Sequence, residues 1–433
     1  MPKEQAFSVQ WNYGGKEYLK EFMKKGTVLW AALIGGMMLL TQGCTDQDAF
    51  DLQYIIRDEK SAEETERTTE SRTYEPEQPQ NNGTEAEVLT EEPGVREVSE
   101  LYYAYHHLDT ARQELYLEMF DALTEMRSGV PLSTLDKSEL DVVFACVMND
   151  HPELFYVDGY QYTEYTLGNV VTGITFSGTY SMTNAEVEQA RFGIEQKLAE
   201  CFGQVPLNED EYSTVKYLYE WLINHTEYDK NAENNQNICS VFLQGRSVCQ
   251  GYAKAMQYML QKADIQCLLV TGFTNGERHG WNLVRVNGEY YYLDPTWGDA
   301  SYASGSEDGL LDGFVPSINY DYFLVTTDEI TRTHSIEKVV ELPQCTAVSD
   351  NYFVREGLYF DSYDEAGLAA VFGSEATKAA GYVTLKCDNS ETYELMLQTL
   401  ITSQKIFDFV DKQGESIAYT SNDEQRTISF WNI

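Results

Sequence analysis

The stretch HGWNLVRVNGEYYYLDPTW, residues His279 to Trp297, alternates in character on either side of Asn287-Gly288. That dipeptide favours a two-residue hairpin turn, because both positions must adopt positive φ. Val286 then opposes Glu289, and counting outward sets Trp281 opposite Asp294 and His279 opposite Thr296. Cross-strand partners share a face, so His279, Trp281, Tyr292 and Asp294 project to one side with His279 diagonal to Asp294. Diagonal neighbours lie about 7 Å apart by Cα, within reach of an imidazole–carboxylate hydrogen bond.

Thirty residues upstream stands SVCQGYAKAMQYML, Ser247 to Leu260. Helical spacing aligns Cys249, Tyr252, Ala253, Met256 and Leu260 on one stripe that must face the interior or a cleft. With Ser247 as the capping residue, Cys249 falls in the first turn, where unpaired N–H groups and the positive helix end favour a thiolate. Each residue alone has an ordinary reading: a buried cysteine, a satisfied core histidine, an aspartate opening the turn at DPTW. Their order on a helix start and two adjacent strands suits amide chemistry. A thiolate attacks a carbonyl, an imidazole moves the proton, and a carboxylate fixes the imidazole's tautomer.

These two stretches and the preceding YLYEWLINHTEYD resemble the transglutaminase-like superfamily, in its bacterial secreted branch and near the cytokinesis-type members. The similarity covers about residues 210 to 300 and extends through YDYFLVTTDEITRTH to His334. It implies a papain-like α+β core, a helix bearing the cysteine packed on an antiparallel sheet. By the same resemblance Cys249 is the nucleophile, His279 the base and acid, and Asp294 the orienting group. Gly280 stands where alanine is common in the family. Gln244 is a candidate oxyanion donor and also reads as a plain loop amide, while Trp281 and Trp297 either line the cleft or pack in the sheet. A thioester on Cys249 is resolved by an amine in cross-linking or by water in proteolysis and deamidation, and the sequence leaves that choice open. A binding or scaffolding module that keeps the fold without catalysis is the alternative. No cofactor is expected, and no calcium loop of the EF-hand type occurs.

The rest of the chain suggests where such a domain would work. From Met23, MKKGTVLWAALIGGMMLLTQGC has a basic start, an apolar run and a small residue before Cys44, the layout of a secretory signal. It begins so neatly that residues 1–22 suggest an upstream start codon. Gly43-Cys44 resembles a lipoprotein cleavage site, with Thr41 where leucine is usual, so the expectation is an extracytoplasmic protein held to the membrane by lipid on Cys44. Residues 45–98 are dense in Glu, Thr, Gln and Asn and poor in large apolar groups, which predicts a disordered acidic tether.

The expected domains are a helical and β region at 99–205, the transglutaminase-like domain at 206–340 and a small α+β domain at 341–433. Helices are predicted over LYYAYHHLDTARQELYLEMFDALTEM and STLDKSELDVVFACVMND, and from Thr183 to about Phe202. Two or three strands are expected between Leu154 and Met182, and a hairpin closes the chain. The formal net charge of −40, with no basic stripe, excludes nucleic acid as an electrostatic partner and leaves a protein or cell-wall peptide as the expected substrate. No histidine pair has metalloprotease spacing, and no metal is expected. Seven cysteines besides Cys44 form no zinc spacing and no disulfide framework; Cys267, within IQCLLV, reads as a buried strand residue.

Overall fold

In the computed structural model the described residues are 3–10, 55–57, 97–206, 210–299, 318–410 and 417–433. Cys44, the signal-like segment and most of the expected tether lie outside them. The exceptions are two strands followed as backbone: β1 (Lys3–Gln10), which precedes the signal-like segment, and β2 (Ile55–Arg57), within the stretch expected as a tether.

The first layer is built from α1 (Tyr103–His106), α2 (Thr110–Thr124), β3 (Val130–Pro131), α3 (Ser138–Asp150) and the long strands β4 (Val157–Leu167) and β5 (Val170–Tyr180). Its sheet runs in the order β2-β1-β4-β5-β3. One continuous helix was expected from Leu101, but Asp109 divides it: its carboxylate accepts from the Arg112 N–H at 3.1 Å and starts α2 afresh. Helix α4 (Asn184–Phe202) begins where predicted because Thr183 and Glu186 form a reciprocal capping box.

The central layer holds α5 (Glu211–His225), the short parallel pair β6 (Glu227–Tyr228) and β7 (Arg246–Ser247), α6 (Cys249–Lys262), β8 (Cys267–Thr274), β9 (Glu277–Val286), β10 (Glu289–Leu293) and α7 (Pro295–Gly298). With β11 (His334–Glu337) the antiparallel sheet runs β10-β9-β8-β11. Asn287 and Gly288 turn at φ 51° and 90°, and Val286 pairs with Glu289. The ladder then reaches Asn282–Leu293 and stops. The strand expected through Trp297 ends there because Pro295 has no N–H for a ladder and instead opens α7, capped by Asp294. The pairings of Trp281 with Asp294 and of His279 with Thr296 are therefore not formed.

Helix α6 lies across β8 and β9 and buries Tyr252, Met256, Met259 and Leu260. Truncating Leu260 to alanine would cost about 2–5 kcal/mol, the usual range for an emptied core site. One apolar cluster runs from Tyr103 to Cys345 across both layers, and a second, from Phe360 to Phe430, belongs to the last part of the chain. That part folds around the sheet β12-β13-β15-β14, comprising β12 (Tyr359–Phe360), β13 (Tyr382–Cys387), β14 (Ala418–Asn422) and β15 (Thr427–Trp431). It is joined to the central layer by buried polar contacts. The Lys386 ammonium meets Glu329 at 2.9 Å, and Thr427 and Asn422 donate to Asp321.

Candidate active site

Ser247 does not cap α6. Its hydroxyl donates to the Asn235 carbonyl at 2.8 Å and pairs with Ser240 Oγ at 2.7 Å, so the N-cap is Val248, which offers no side-chain acceptor. Tertiary hydrogen bonds have taken the serine that local pattern assigned to the helix. Cys249 is consequently the first helical residue, and the opening N–H groups of α6, Cys249's among them, lack both a helical acceptor and a side-chain cap. The serine's inward turn also explains Gly251: a Cβ there would lie 1.9 Å from Ser247 Oγ.

Across from the helix, His279 Nε2–H donates to Asp294 Oδ2 at 2.8 Å. The Cys249 thiol acts on the same ring electrostatically and favours its charged form. Thiol, imidazole and carboxylate form one electrostatic cluster between the start of α6 and the end of β10. All three groups are buried, Cys249 to 5% exposure, His279 to 7% and Asp294 to none.

The carboxylate is held from four directions. Oδ1 accepts the backbone N–H groups of Thr296 and Trp297 at 2.9 and 3.2 Å, and Oδ2 accepts a second imidazole, His334 Nε2–H, at 3.2 Å. His334 Nδ1 in turn accepts the Thr333 hydroxyl at 2.8 Å, which fixes the ring's tautomer. Trp281 and Trp297 pack against the His334 ring at 4.8 Å between centroids.

The electrostatics follow from this packing. Burial opposes charge on His279, but the Asp294 carboxylate outweighs it and the thiol adds to the effect, raising the imidazole's pKa to about 10. Burial alone would raise Asp294, yet His279 and then His334 drive it well below the usual carboxylate range. For His334 burial dominates and lowers the pKa, so this ring stays neutral while donating. An imidazolium beside a sulfur at an uncapped helix start can stabilise a thiolate, deliver a proton to a leaving amine and leave backbone donors for an oxyanion. The ligand-type atoms of His279, Asp294 and His334 lie within 4.8 Å of one another, the one such group among the described residues, and both facing ring nitrogens are engaged by the carboxylate.

The remaining candidates separate. Gln244 closes a π-helical turn (Ser240–Gln244), and its amide donates to the Glu233 carbonyl at 3.2 Å, which ties it to a loop. Trp281 is fully buried, its ring stacked on His279 at 5.9 Å between centroids. Trp297, half-buried, has its ring 6.0 Å from His279. Cys267 is buried, its thiol pushed up by desolvation, as are Cys146, Cys201, Cys239, Cys345 and Cys387. His334 was legible only as the end of a family-like segment; no turn or register in the sequence ties it to Asp294.

The fold and site are those of an α+β papain-like domain with a cysteine at a helix start facing a histidine and an acid on an antiparallel sheet. Residues 203–295, which include Cys249, His279 and Asp294, match the transglutaminase-like superfamily. The chain is similar to the kyphoscoliosis peptidases of Homo sapiens (24% identical over 152 residues, 31% of this chain) and Mus musculus (28% over 127 residues, 25%). The match spans about a fifth of those relatives' length, 22% and 18%. Among solved structures, the chain is similar to the periplasmic domain of TgpA from Pseudomonas aeruginosa, at 13% identity and a TM-score of 0.20, over 35% of this chain and 76% of that one.

Proposed function

We propose that this domain is an extracytoplasmic thiol enzyme that acts on protein or peptide amides through a thioester on Cys249. The observation that carries the reading is the buried His279–Asp294 hydrogen bond, with the Cys249 thiol at the start of α6 acting on the same imidazole. In the first step the thiolate adds to the amide carbonyl, His279 gives its proton to the departing amine, and the C–N bond breaks to leave an acyl-cysteine. In the second, His279 takes a proton from an incoming amine or water, the new C–N or C–O bond forms, and the thiolate leaves. Asp294 holds the ring's tautomer and balances its charge throughout. An amine acceptor makes the reaction a cross-link, and water makes it a hydrolysis.

The test is labelling of the folded protein with iodoacetamide across pH, read by peptide mass spectrometry. Cys249 should react far faster than Cys267, and His279→Ala should remove that advantage. Equal rates at the two thiols, or indifference to His279, would leave the noncatalytic binding module as the reading. For a reactive Cys249, incubating a glutamine peptide with and without a primary amine separates transfer from hydrolysis by product mass. The signal-like run ending at Cys44 supports a lipid anchor outside the cytoplasm, with protein or cell-wall peptides as substrates. Incorporation of labelled fatty acid into the wild type and its loss in Cys44→Ala is the corresponding check.

A further inference from the structure

Helix α6 carries a second chemical group with no established use. Lys254 stands four residues after Gln250 and therefore on the same helical face, directly above the neighbour of Cys249. Its side chain is buried to 6% exposure and lines a crevice of about 320 Å³ between α3 and β4 on one side and α6, β8 and β9 on the other. That volume lies at the small end of ligand sites.

Most other charges around this crevice have partners. Tyr160 donates to Asp141 at 2.5 Å, Arg278 meets Glu337 at 2.7 Å, and Lys338 meets Glu341 at 3.2 Å. Among the described residues none is recorded as an acceptor or ion-pair partner of the Lys254 ammonium, and burial alone lowers its pKa to about 8. An isolated buried ammonium is costly, and nearby carboxylates would be the usual remedy. Here none pairs with the ammonium, and burial is the one influence on its pKa. The walls supplied by Val142, Phe144, Met148, Leu269 and Val339 are apolar, which suits a charge carried on a short stem.

We infer that this crevice is a binding site for a carboxylate on a short apolar stem, with Lys254 as its counter-charge. As a substrate subsite it rests on the thiol-enzyme reading, since Gln250 bridges the crevice and the nucleophile's position. The same chemistry is offered by an acidic side chain and by a peptide's C-terminal carboxylate.

The experiment measures acetylation of Lys254 by sulfosuccinimidyl acetate near pH 8 in the full chain, by peptide mass spectrometry, with exposed Lys230 as internal reference. Three probes are compared: N-acetylglutamate α-amide, with a side-chain carboxylate; N-acetylglutamine, with a terminal one; and N-acetylglutamine amide, with neither. At about four times Kd, mass action gives roughly fivefold protection of Lys254 by at least one carboxylate probe, with the neutral probe inert and Lys230 unaffected. Which carboxylate protects identifies the source. Equal protection by the neutral probe, or protection by none, overturns the inference. Cys249 labelling is read in the same samples, so protection at Lys254 with an unreactive Cys249 keeps the anion site and removes only the enzymatic reading.

Discussion

Asp294 and Asp150 are both fully buried, and both accept two backbone N–H groups. Their electrostatics are opposite. Asp150, at the end of α3, takes the N–H groups of Ala104 and Tyr105 at 2.9 Å and the Tyr116 hydroxyl at 3.0 Å, and burial raises its pKa to about 6. The adjacent His151 turns its Nδ1 to Glu153 at 2.6 Å, and its pull on the Asp150 carboxylate is outweighed by burial. Asp294 differs by an imidazole that carries charge against it, and its pKa falls. Burial is common to the two, and a directly hydrogen-bonded imidazole decides the sign. Asp150 reads as a clasp that ties α1 to α3, whereas Asp294 sustains an imidazolium next to a sulfur.

The largest effect that would break this contrast is on reactivity. Asp294→Asn should slow iodoacetamide alkylation of Cys249 by about a hundredfold or more, in the range general acid–base groups contribute. Asp150→Asn, assayed where it remains folded, should leave that rate within about twofold, far below the same range. A comparable loss in both would mean that the two carboxylates play the same structural part.

Stability is where Asp150 should show its part. Asp150→Ala strands three buried donors, at about 1–3 kcal/mol for an unsatisfied group, so denaturant unfolding should show at least about 3 kcal/mol lost. Removing the donation from His334 is a smaller change. His334→Leu should slow Cys249 alkylation by roughly tenfold, about 1.4 kcal/mol, and move its pH profile, with His334→Gln recovering much of the rate because its amide can still donate. A uniform loss of both variants through unfolding alone, with the pH profile unmoved, would reduce His334 to packing.

The smallest effect is a difference in pH slope. The Asp150 pKa is raised in the fold, so its stabilising contribution is complete below the ordinary carboxylate value and is lost as pH rises through about 6. The Asp150→Asn deficit should therefore be greater near pH 4 than near pH 7. The Asp294 pKa is depressed, so its contribution is present above the ordinary carboxylate value and fades as pH falls through the folded one. The deficit of Asp294→Asn should shrink with acid, and the raised His279 should lose its own contribution only as pH climbs through about 10. Parallel slopes in the two variants would contradict the electrostatic distinction.

Local rules exposed much of this arrangement. Asn287-Gly288 determines a register that can be counted by hand, Thr183 and Glu186 announce α4, and the apolar stripe of α6 declares its buried face. The same rules misread Ser247, which long-range hydrogen bonds turned inward, and Asp294, where Pro295 ends the strand that alternation would have continued. His334 reaches Asp294 from 40 residues away, and the Lys254 crevice exists only because α3 and β4 pack beside α6. Neither depends on a spacing that the linear chain displays.

The buried thiols have a consequence for the lifetime of the molecule. Seven cysteines of the described region are free, and all are covered. An oxidant therefore meets six of them chiefly through molecules that have already opened. Each opening exposes unpaired sulfurs that can couple wrongly or climb to acids that do not revert. Unfolding in air then becomes a one-way exit rather than an equilibrium, and the protein's shelf life is governed by the rate at which its core opens.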